Sequence, residues 1–457
     1  MTGMTSGWLG RKAAALGHSV SAGPDVPIPD GFSDSRQVTP GVLWGAFHGE
    51  THDGNDFIED AIARGAAAVV CERAPRMSHL NTTVVVARDA RLALGQLATA
   101  WIEQCGARVV GITGTVGKTT AKELTAAVLG ANYRVFRSKE NFNSLEGLPL
   151  TLVALEPEHE VAVLELAMDR PGEIVELCEM VRPEIGVVLN VGFTHASKLG
   201  GIEAIAREKL SLPRWLPGTG TAVLNVDDPR IAPVVTELDC NVLTFGREPG
   251  ADVRATVVRP RGLDGTDFDV EIGGRSYGAH SPLPGEHTLT AALAALTVAV
   301  AVGMSAADAI DALASAGYSG RMVRRAGRNG SVLLDDRYNS SPASLEGALR
   351  LLATTGGRRI ALLGAMAELG DAEAPEHCRL GAVAAETCDV LAGSGEAARV
   401  LVEAARKHGL DKARWFEDRE EAALWIQGQL GPSDHVLIKA SRSQAFERVV
   451  PLLEVER

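Results

Sequence analysis

The chain has 457 residues, so at an average domain size it should divide into about three domains. Apolar residues make up 46% of it and charged residues 23%, which is typical of globular proteins that fold in water. A formal net charge of −13 excludes a chain-wide basic surface, so we expect neither nucleic acid nor an anionic membrane as a partner.

Signals for membranes or for export are not found in the sequence. No stretch approaches the roughly 18 consecutive apolar residues of a membrane span, and the first residues lack the basic-then-apolar order of a signal peptide. We therefore predict a cytoplasmic protein. The cysteines are scattered singly, which predicts reduced core residues rather than a zinc site or a disulfide framework. They are Cys71, Cys105, Cys178, Cys240, Cys378 and Cys388.

A first α/β unit is predicted to run to about Cys105. Apolar runs at residues 41–47 and 66–71 indicate strands, and residues 90–104 indicate the helix that closes the unit.

Two loops of this unit carry polar residues. The first, Asp34-Ser35-Arg36, precedes the strand at residues 41–47. The second contains His48 and His52, which have the spacing of a metal pair. Both histidines lie in a Gly/Asp-rich turn without a carboxylate pattern, which favours ordinary loop histidines over a metal site.

A glycine-rich loop follows the apolar run at residues 109–113 and precedes a helix-forming segment. Gly114, Thr115 and Gly117 belong to this loop, where closely spaced glycines let backbone N–H groups surround a phosphate at a helix N-terminus. Gly111 lies six residues before Gly117, one more than in the general phosphate-loop motif. An ordinary Rossmann turn is the alternative.

The residues directly after the loop argue against that alternative. Lys118 would reach the β- and γ-phosphates of a nucleotide, and the hydroxyl of Thr119 would bind its magnesium ion. We expect Thr120 to cap the helix.

Polar residues gather where the next predicted strands end. Asn143 follows a strand near residues 133–136, Glu165 ends the strand at 161–164, and Asn190 ends the strand at 185–189. Alternation of strand, loop and helix predicts a mostly parallel sheet with helices on both faces. Because ligands bind at the carboxyl ends of such strands, this clustering predicts a site.

The rest of the chain predicts two further regions. Residues 251–280 alternate in polarity and contain turn signals, which indicates antiparallel strands, and residues 289–302 indicate a helix. The predicted domains are 1–105, 106–318 and 319–457. The last is a third α/β unit with strands at residues 331–334, 359–363, 389–392 and 436–438.

Three central motifs occur in an order typical of a known family: the glycine-rich loop, Asn143 ahead of residues 147–152, and Glu165 followed by residues 171–174. Together they resemble the Mur ligase family, whose members join an amino acid or peptide to a carboxylate during assembly of peptidoglycan precursors. The resemblance covers essentially the whole chain. It implies an α/β fold with an N-terminal UDP-binding domain, a central ATP-binding domain and a C-terminal Rossmann-like domain.

The resemblance also implies a chemistry. ATP would activate the carboxylate as an acyl phosphate, with two magnesium ions neutralising the phosphoryl charge. Thr119 and Glu165 would bind one ion and His195 the second, while Arg321 would approach the γ-phosphate from the third domain. Lys209 matches the lysine that carbon dioxide converts into a carbamate, an oxygen ligand suited to a hard cation. From the residues alone, Lys209 is an ordinary helix-surface lysine.

Substrate-facing residues are implied at both ends of the chain. Ser35 and Arg36 would bind a uridine nucleotide. The signatures at residues 335–339 and 363–370 are most like those of the family member that adds D-alanyl-D-alanine to UDP-N-acetylmuramoyl-tripeptide. For Lys439, Ser441 and Arg442, which end a strand, a solvated loop is the alternative to a phosphate- or carboxylate-binding cluster. The remaining residues implied at the nucleotide are Asn143, His287, Asp336, Tyr338 and Asn339.

Several positions depart from the family pattern. Thr288 and Ala291 stand where asparagines are usual, and the second asparagine usually contacts adenine, a role that Asp227 and Asp228 could take over. Three further departures lie in the domain that selects the amine: Ala365, Arg337 and Ser341.

Two alternatives to the ligase that adds D-alanyl-D-alanine stay open. One is a related ligase with a different amine or acceptor, and the other is a nucleotide-binding partner protein that has lost catalysis. For all three we expect small-molecule ligands and a monomer.

Overall fold

A computed structural model describes residues 3–49, 52–76, 81–139, 142–192, 201–317 and 322–455. Within these residues the strands form three sheets, which follow one another along the chain. None of the helices in these ranges has the length and apolar character that crossing a membrane requires.

The N-terminal sheet has the strand order β1-β5-β4-β3-β2, and its strands are parallel except for β1. One apolar cluster joins its helix α3 to the central region, from Leu97 to Leu148 and Leu164. The elements are α1 Ser6–Ala15, β1 Ser19–Ser21, β2 Gly31–Phe32, β3 Leu43–Gly45, α2 Ile58–Ala63, β4 Ala68–Cys71, β5 Thr83–Val86 and α3 Ala90–Cys105.

The central sheet has the order β14-β13-β12-β11-β10-β9-β6-β8-β7. Strands β6 to β12 run parallel, and β12, β13 and β14 form the predicted antiparallel extension. The first elements are β6 Arg108–Thr113, α4 Lys118–Leu129, β7 Val135–Arg137, α5 Gly147–Leu152, β8 Val161–Glu165, α6 Glu173–Val181, β9 Ile185–Val188, α7 Ile202–Lys209 and α8 Ser211–Trp215. The remaining ones are β10 Thr221–Asn225, β11 Asn241–Gly246, β12 Val253–Pro260, β13 Thr266–Ile272, β14 Arg275–Ser281, α9 Leu289–Val302 and α10 Ala306–Ala314.

The C-terminal sheet has the order β15-β16-β20-β17-β18-β19, and its strands are parallel except for β15. The first elements are β15 Val323–Ala326, β16 Val332–Asp335, α11 Pro342–Ala353, β17 Arg359–Gly364 and α12 Glu373–Thr387. The last are β18 Val390–Ser394, α13 Glu396–Lys407, β19 Ala413–Phe416, α14 Arg419–Gln427, β20 His435–Lys439 and α15 Val450–Leu453.

Helix α9 supports the helix that follows the glycine-rich loop. Its sequence is apolar nearly all round, which is typical of a fully enclosed helix. It packs against α4, and Leu289, Leu293 and Leu296 are among its buried residues. The buried face of α4, which begins at Ala121, is therefore held on an apolar base.

The cysteines are all free thiols, as predicted, but not all of them belong to the core. Cys71, Cys178 and Cys388 are buried, whereas Cys105 and Cys240 are half-buried. Cys378 is exposed, so the prediction of a core residue is wrong there. The thiol lies on the outer face of α12, whose buried side is made by other residues such as Leu380 and Ala384.

Candidate active site

The loop between β6 and α4 has the backbone that a phosphate loop needs. Gly114 and Gly117 have φ angles of +159° and +84°, and the second of these is a left-handed conformation that favours glycine. A Cβ at Gly114 would lie 2.9 Å from Cβ of Leu189, so the loop also passes too close to β9 for a side chain. Gly117 is the N-cap of α4, which aims the positive end of the helix dipole at the loop.

Asn190 holds this loop in place. Its side-chain oxygen accepts from the N–H groups of Thr115 (3.0 Å) and Val116 (2.9 Å), and its amide donates to the carbonyl of Val116 (2.9 Å). The hydroxyl of Thr115 bonds to both the N–H and the carbonyl of Gly192. The sequence placed Asn190 at a strand end but gave it no role.

Of the two residues that flank Thr119, Lys118 lies over the loop and Thr120 lies beside it. Nζ of Lys118 donates to the carbonyl of Gly114 at 3.0 Å, so the ammonium lies over the loop. Thr120 was predicted to cap α4, but this is wrong, because Gly117 is the N-cap and Thr120 is the third helical residue. Thr120 instead lines the cleft beside the loop.

An acidic centre lies beside the loop, where three predicted residues meet. Thr119 donates its hydroxyl to Oε2 of Glu165 (2.8 Å), and the amide of Asn143 donates to Oε1 (2.9 Å). Glu165 is only 3% exposed. Its position at the carboxyl end of β8, next to β6, places it against the first turn of α4.

Lys209 is buried, contrary to the helix-surface position inferred from the residues alone. It is 2% exposed, and its Nζ donates to the carbonyl of Gly114 at 3.0 Å. Burial, followed by the charge of Lys118, lowers the pKa of this ammonium well below its usual value, while Glu208 and Glu165 oppose the shift. A lysine with a lowered pKa is more often a neutral amine, which is the form that reacts with carbon dioxide.

The C-terminal domain contributes a second polar cluster. Lys439 is 1% exposed and donates to Oδ2 of Asp336 and to the carbonyl of Asn339. Ser441 is also buried, which excludes a solvated loop for these two residues. Arg442 is exposed; it donates to the hydroxyl of Tyr338 at 3.1 Å and lies over the tyrosine ring.

The two domains line one cleft. Gly117 faces it from the phosphate loop, Thr120 from the first turn of α4, Ala291 from α9, and Asp336 and Lys439 from the C-terminal domain. The residues predicted on separate domains are thus brought together around one space.

Two of the departures from the family pattern, Thr288 and Ala291, line this cleft. The hydroxyl of Thr288 donates to the carbonyl of Gly285 (2.7 Å), and His287 lines the same space. Asp227 lines a neighbouring cleft and accepts from the N–H groups of residues 247 and 248, while Asp228 accepts from Val191 and Arg230. The carboxylates of Asp227 and Asp228 therefore accept hydrogen bonds from the backbone.

A separate pocket lies in the N-terminal domain. Ser35 and Arg36 line it together with Trp44, Phe47 and Phe57. The Arg36 side chain is 84% exposed and pairs with Asp34 at 2.7 Å, which lowers the pKa of that carboxyl group.

His48 lines the same pocket, and its surroundings differ from those predicted. Nε2 lies 2.7 Å from Glu72 and Nδ1 lies 3.2 Å from Asp53, so two carboxylates are near it after all. The hydrogen bond to Glu72 raises the pKa of the imidazole. Glu72 was not identified from the sequence because it follows β4 and lies 24 residues after His48 in the chain.

Two predicted residues, His195 and Arg321, lie outside the described residues.

The donor atoms at the acidic centre fit magnesium. A threonine hydroxyl and a carboxylate are hard oxygen donors, and magnesium bound with a nucleotide takes few protein ligands besides water and phosphate. The described ranges contain no group of three His, Cys, Asp or Glu residues arranged to hold a metal by themselves.

A phosphate loop at the carboxyl ends of the strands of a parallel sheet, facing a second α/β domain across a cleft, is typical of a multidomain nucleotide-binding protein. Residues 112–299 match the Mur ligase middle domain, residues 320–442 the Mur ligase glutamate ligase domain, and residues 32–102 the Mur ligase catalytic domain. The chain belongs to the Mur ligase family.

Curated relatives cover nearly the whole chain. It is 32% identical to the UDP-N-acetylmuramoyl-tripeptide--D-alanyl-D-alanine ligase of Bacillus subtilis, over 92% of this chain and 91% of the relative. The Escherichia coli enzyme of the same name is also 32% identical, over 94% and 95%.

Solved structures agree with this placement. MurF from Acinetobacter baumannii superposes with a TM-score of 0.86 at 28% identity and covers 99% of both chains. MurF from Thermotoga maritima in complex with ADP gives a TM-score of 0.79 at 29% identity, over 93% of this chain and 96% of the other.

Proposed function

We propose that the chain is an ATP-dependent ligase that joins D-alanyl-D-alanine to UDP-N-acetylmuramoyl-tripeptide in peptidoglycan precursor synthesis. The observation that carries the proposal is the cleft in which Gly117 of the phosphate loop and Thr120 of α4 face Asp336 and Lys439 of the C-terminal domain. The relatives named for this reaction support the choice of substrates.

The reaction has two steps. The terminal carboxylate of the tripeptide attacks the γ-phosphorus of ATP, the bond from that phosphorus to the bridging oxygen breaks, and ADP leaves, so that the tripeptide becomes an acyl phosphate. The amine of the dipeptide then attacks the acyl carbon, phosphate leaves, and the ammonium proton is lost as the amide forms.

The chain's own residues bind and orient the reactants. The N–H groups of the phosphate loop and the ammonium of Lys118 hold the phosphates, and Arg321 adds positive charge from the third domain. Lys439, Ser441 and Arg442 bind the dipeptide carboxylate, and Ser35 and Arg36 hold the uridine nucleotide.

Thr119 and Glu165 would hold one magnesium ion and His195, with Lys209, a second; the ions supply charge neutralisation on the phosphoryl group. Lys209 acts here as a carbamate: its neutral amine forms a bond to carbon dioxide and releases one proton. Burial of Lys209 beside Lys118 supports this, because it favours the neutral amine.

A related ligase with a different amine stays an alternative, because one departure from the family pattern lies beside the cluster of Lys439, Ser441 and Arg442. Ala365, which departs from the family pattern, accepts at its carbonyl from the N–H of Ser441 (3.2 Å). The changed residue therefore touches the cluster to which we assign the amine substrate.

Phosphate release from ATP tests the proposal. Purified protein is incubated with UDP-N-acetylmuramoyl-tripeptide, with and without D-alanyl-D-alanine, and we expect release only with both substrates. Release with the tripeptide and other dipeptides but not with D-alanyl-D-alanine would favour the related ligase. Nucleotide binding without release under any of these conditions would favour a partner protein that has lost catalysis.

Two further properties go with this proposal. The soluble precursors of the reaction suggest a cytoplasmic enzyme that supports wall growth, cell shape and division. We also propose a monomer, which light scattering of the purified chain checks directly.

A further inference from the structure

Lys122 is a buried charged residue that the reaction described above does not use. It is 0% exposed and lies on α4 one turn after Lys118. Placing a lysine inside a protein is costly unless its ammonium is paired. Its partners therefore indicate what the charge does.

The ammonium of Lys122 ties α4 to the end of β7. Nζ donates to the carbonyl of Ser138 at 2.5 Å and lies 3.2 Å from a carboxylate oxygen of Glu123. Glu123 also pairs with Arg137 at 2.9 Å. The hydrogen bond to Ser138 fixes the backbone at the end of β7 against α4. The pair of Glu123 with Arg137 adds a side-chain link between the same two elements.

Ser138 carries this link to the acidic centre. Its side chain is 1% exposed, and its hydroxyl accepts from the backbone N–H of Glu165 at 3.2 Å. Its own N–H donates to the carbonyl of Val163 at 3.1 Å, so the residue is fixed along β8. The chain of contacts thus runs from Lys122 through Ser138 to the residue whose carboxylate meets Thr119.

We propose that Lys122 and Ser138 form a brace that positions Glu165 against Thr119 and thereby sets the affinity for the magnesium nucleotide. The inference rests on the proposed metal role of Glu165. Lys122 and Ser138 are positioning residues, because they act through Glu165. Outer partners of metal ligands typically change metal affinity by about 10–100-fold when they are removed.

The test compares binding of ADP with and without Mg²⁺ by calorimetry. Lys122→Met keeps the side-chain length but removes the donor, and Ser138→Ala removes the acceptor for Glu165. We expect both variants to weaken ADP binding roughly tenfold in the presence of Mg²⁺. Without the ion, binding should stay within about twofold of the wild type, because the phosphate loop is untouched.

A matched control and a double variant separate positioning from general destabilisation. Lys407→Met removes an exposed lysine at the end of α13 and should change neither affinity. The combined Lys122→Met/Ser138→Ala variant should lose less affinity than the product of the two single losses, because both residues act through one contact. Equal losses of ADP affinity with and without Mg²⁺ would overturn the proposed brace. A double-variant loss equal to the product of the two single losses would overturn it too.

Glu165→Gln separates this inference from the proposed function. If Glu165→Gln does not change the Mg²⁺ dependence, the metal role itself fails. If Glu165→Gln changes it and neither brace variant does, the brace alone is wrong. Should Lys122→Met not fold, as judged by its thermal unfolding, Ser138→Ala decides the question by the same binding comparison.

Discussion

The acidic centre and the N-terminal pocket are both assembled from predicted site residues, but they are built differently. Glu165 and Lys209 are almost completely buried, and their polar atoms bond to the phosphate loop and its helix. Arg36 is largely exposed and, among the residues that the structure describes, pairs with its neighbour Asp34. The first region is fixed by strand ends and a helix start, whereas the second is an open surface.

This difference has a functional consequence. Groups that stabilise a transition state need a fixed geometry before the substrate arrives, and burial provides it. Groups that recognise a distant part of the substrate need only contribute binding energy. Substitutions in the buried region should therefore lower kcat, and those in the exposed pocket should raise one KM.

The largest effect is expected for Lys118→Ala. It deletes the charge that faces the β- and γ-phosphates, so phosphate release should fall by roughly a thousandfold. The fold should remain, because α4 is held by its buried face and by α9. Near-normal phosphate release, with unchanged circular dichroism, would contradict the phosphate-loop assignment.

Lys209→Ala should be nearly inactive as well, because it removes the carbamate that we place at the metal. Short carboxylates such as acetate should restore part of the activity by supplying the missing anionic oxygen in the vacated space. The measurement is phosphate release with and without added carboxylate. Near-normal activity of the variant in buffer depleted of carbon dioxide would rule out the metal-ligand role.

A smaller effect is expected for Asn190→Ala. The variant removes the amide that bonds to Thr115 and Val116, and each bond contributes about 1 kcal/mol. We expect the KM for ATP to rise roughly tenfold or more, while the KM for the uridine-linked substrate stays constant. If the KM values for ATP and for the uridine-linked substrate rise together, the role of Asn190 is not confined to the phosphate loop.

The same comparison explains what the sequence could predict. Strands and helices were found where an apolar run is uninterrupted, and α9 spans residues 289–302 as predicted. Strands β10, β11 and β19 were not predicted, because their uninterrupted apolar runs are only two or three residues long and do not distinguish a strand from other structure. The boundaries after residues 105 and 318 stay predictions.

Site residues at strand ends could be predicted because a parallel sheet gathers them at one edge. The burial of Lys209 could not, since it depends on a contact with Gly114, 95 residues earlier in the chain. The hydrogen bond from Lys122 to Ser138 could not be predicted either, since the two residues are 16 positions apart in the chain. The roles of His195 and Arg321 remain implied by the family resemblance.

The smallest effect is expected for Arg36→Ala, and it tests the exposed half of the comparison. The guanidinium borders the N-terminal pocket and is mostly in solvent, so its loss should leave the unfolding midpoint unchanged. We expect the KM for the uridine-linked substrate to rise about tenfold, as for a lost charge-assisted hydrogen bond. The KM for ATP and kcat should stay constant, because we place ATP in the cleft between the central and C-terminal domains. Arg11→Ala is a matched control: Arg11 is another exposed arginine of the same domain, paired with Asp25 and not among the residues that line the pocket. An equal rise of both KM values in Arg36→Ala would show that the N-terminal pocket does not bind the uridine nucleotide independently of the active site.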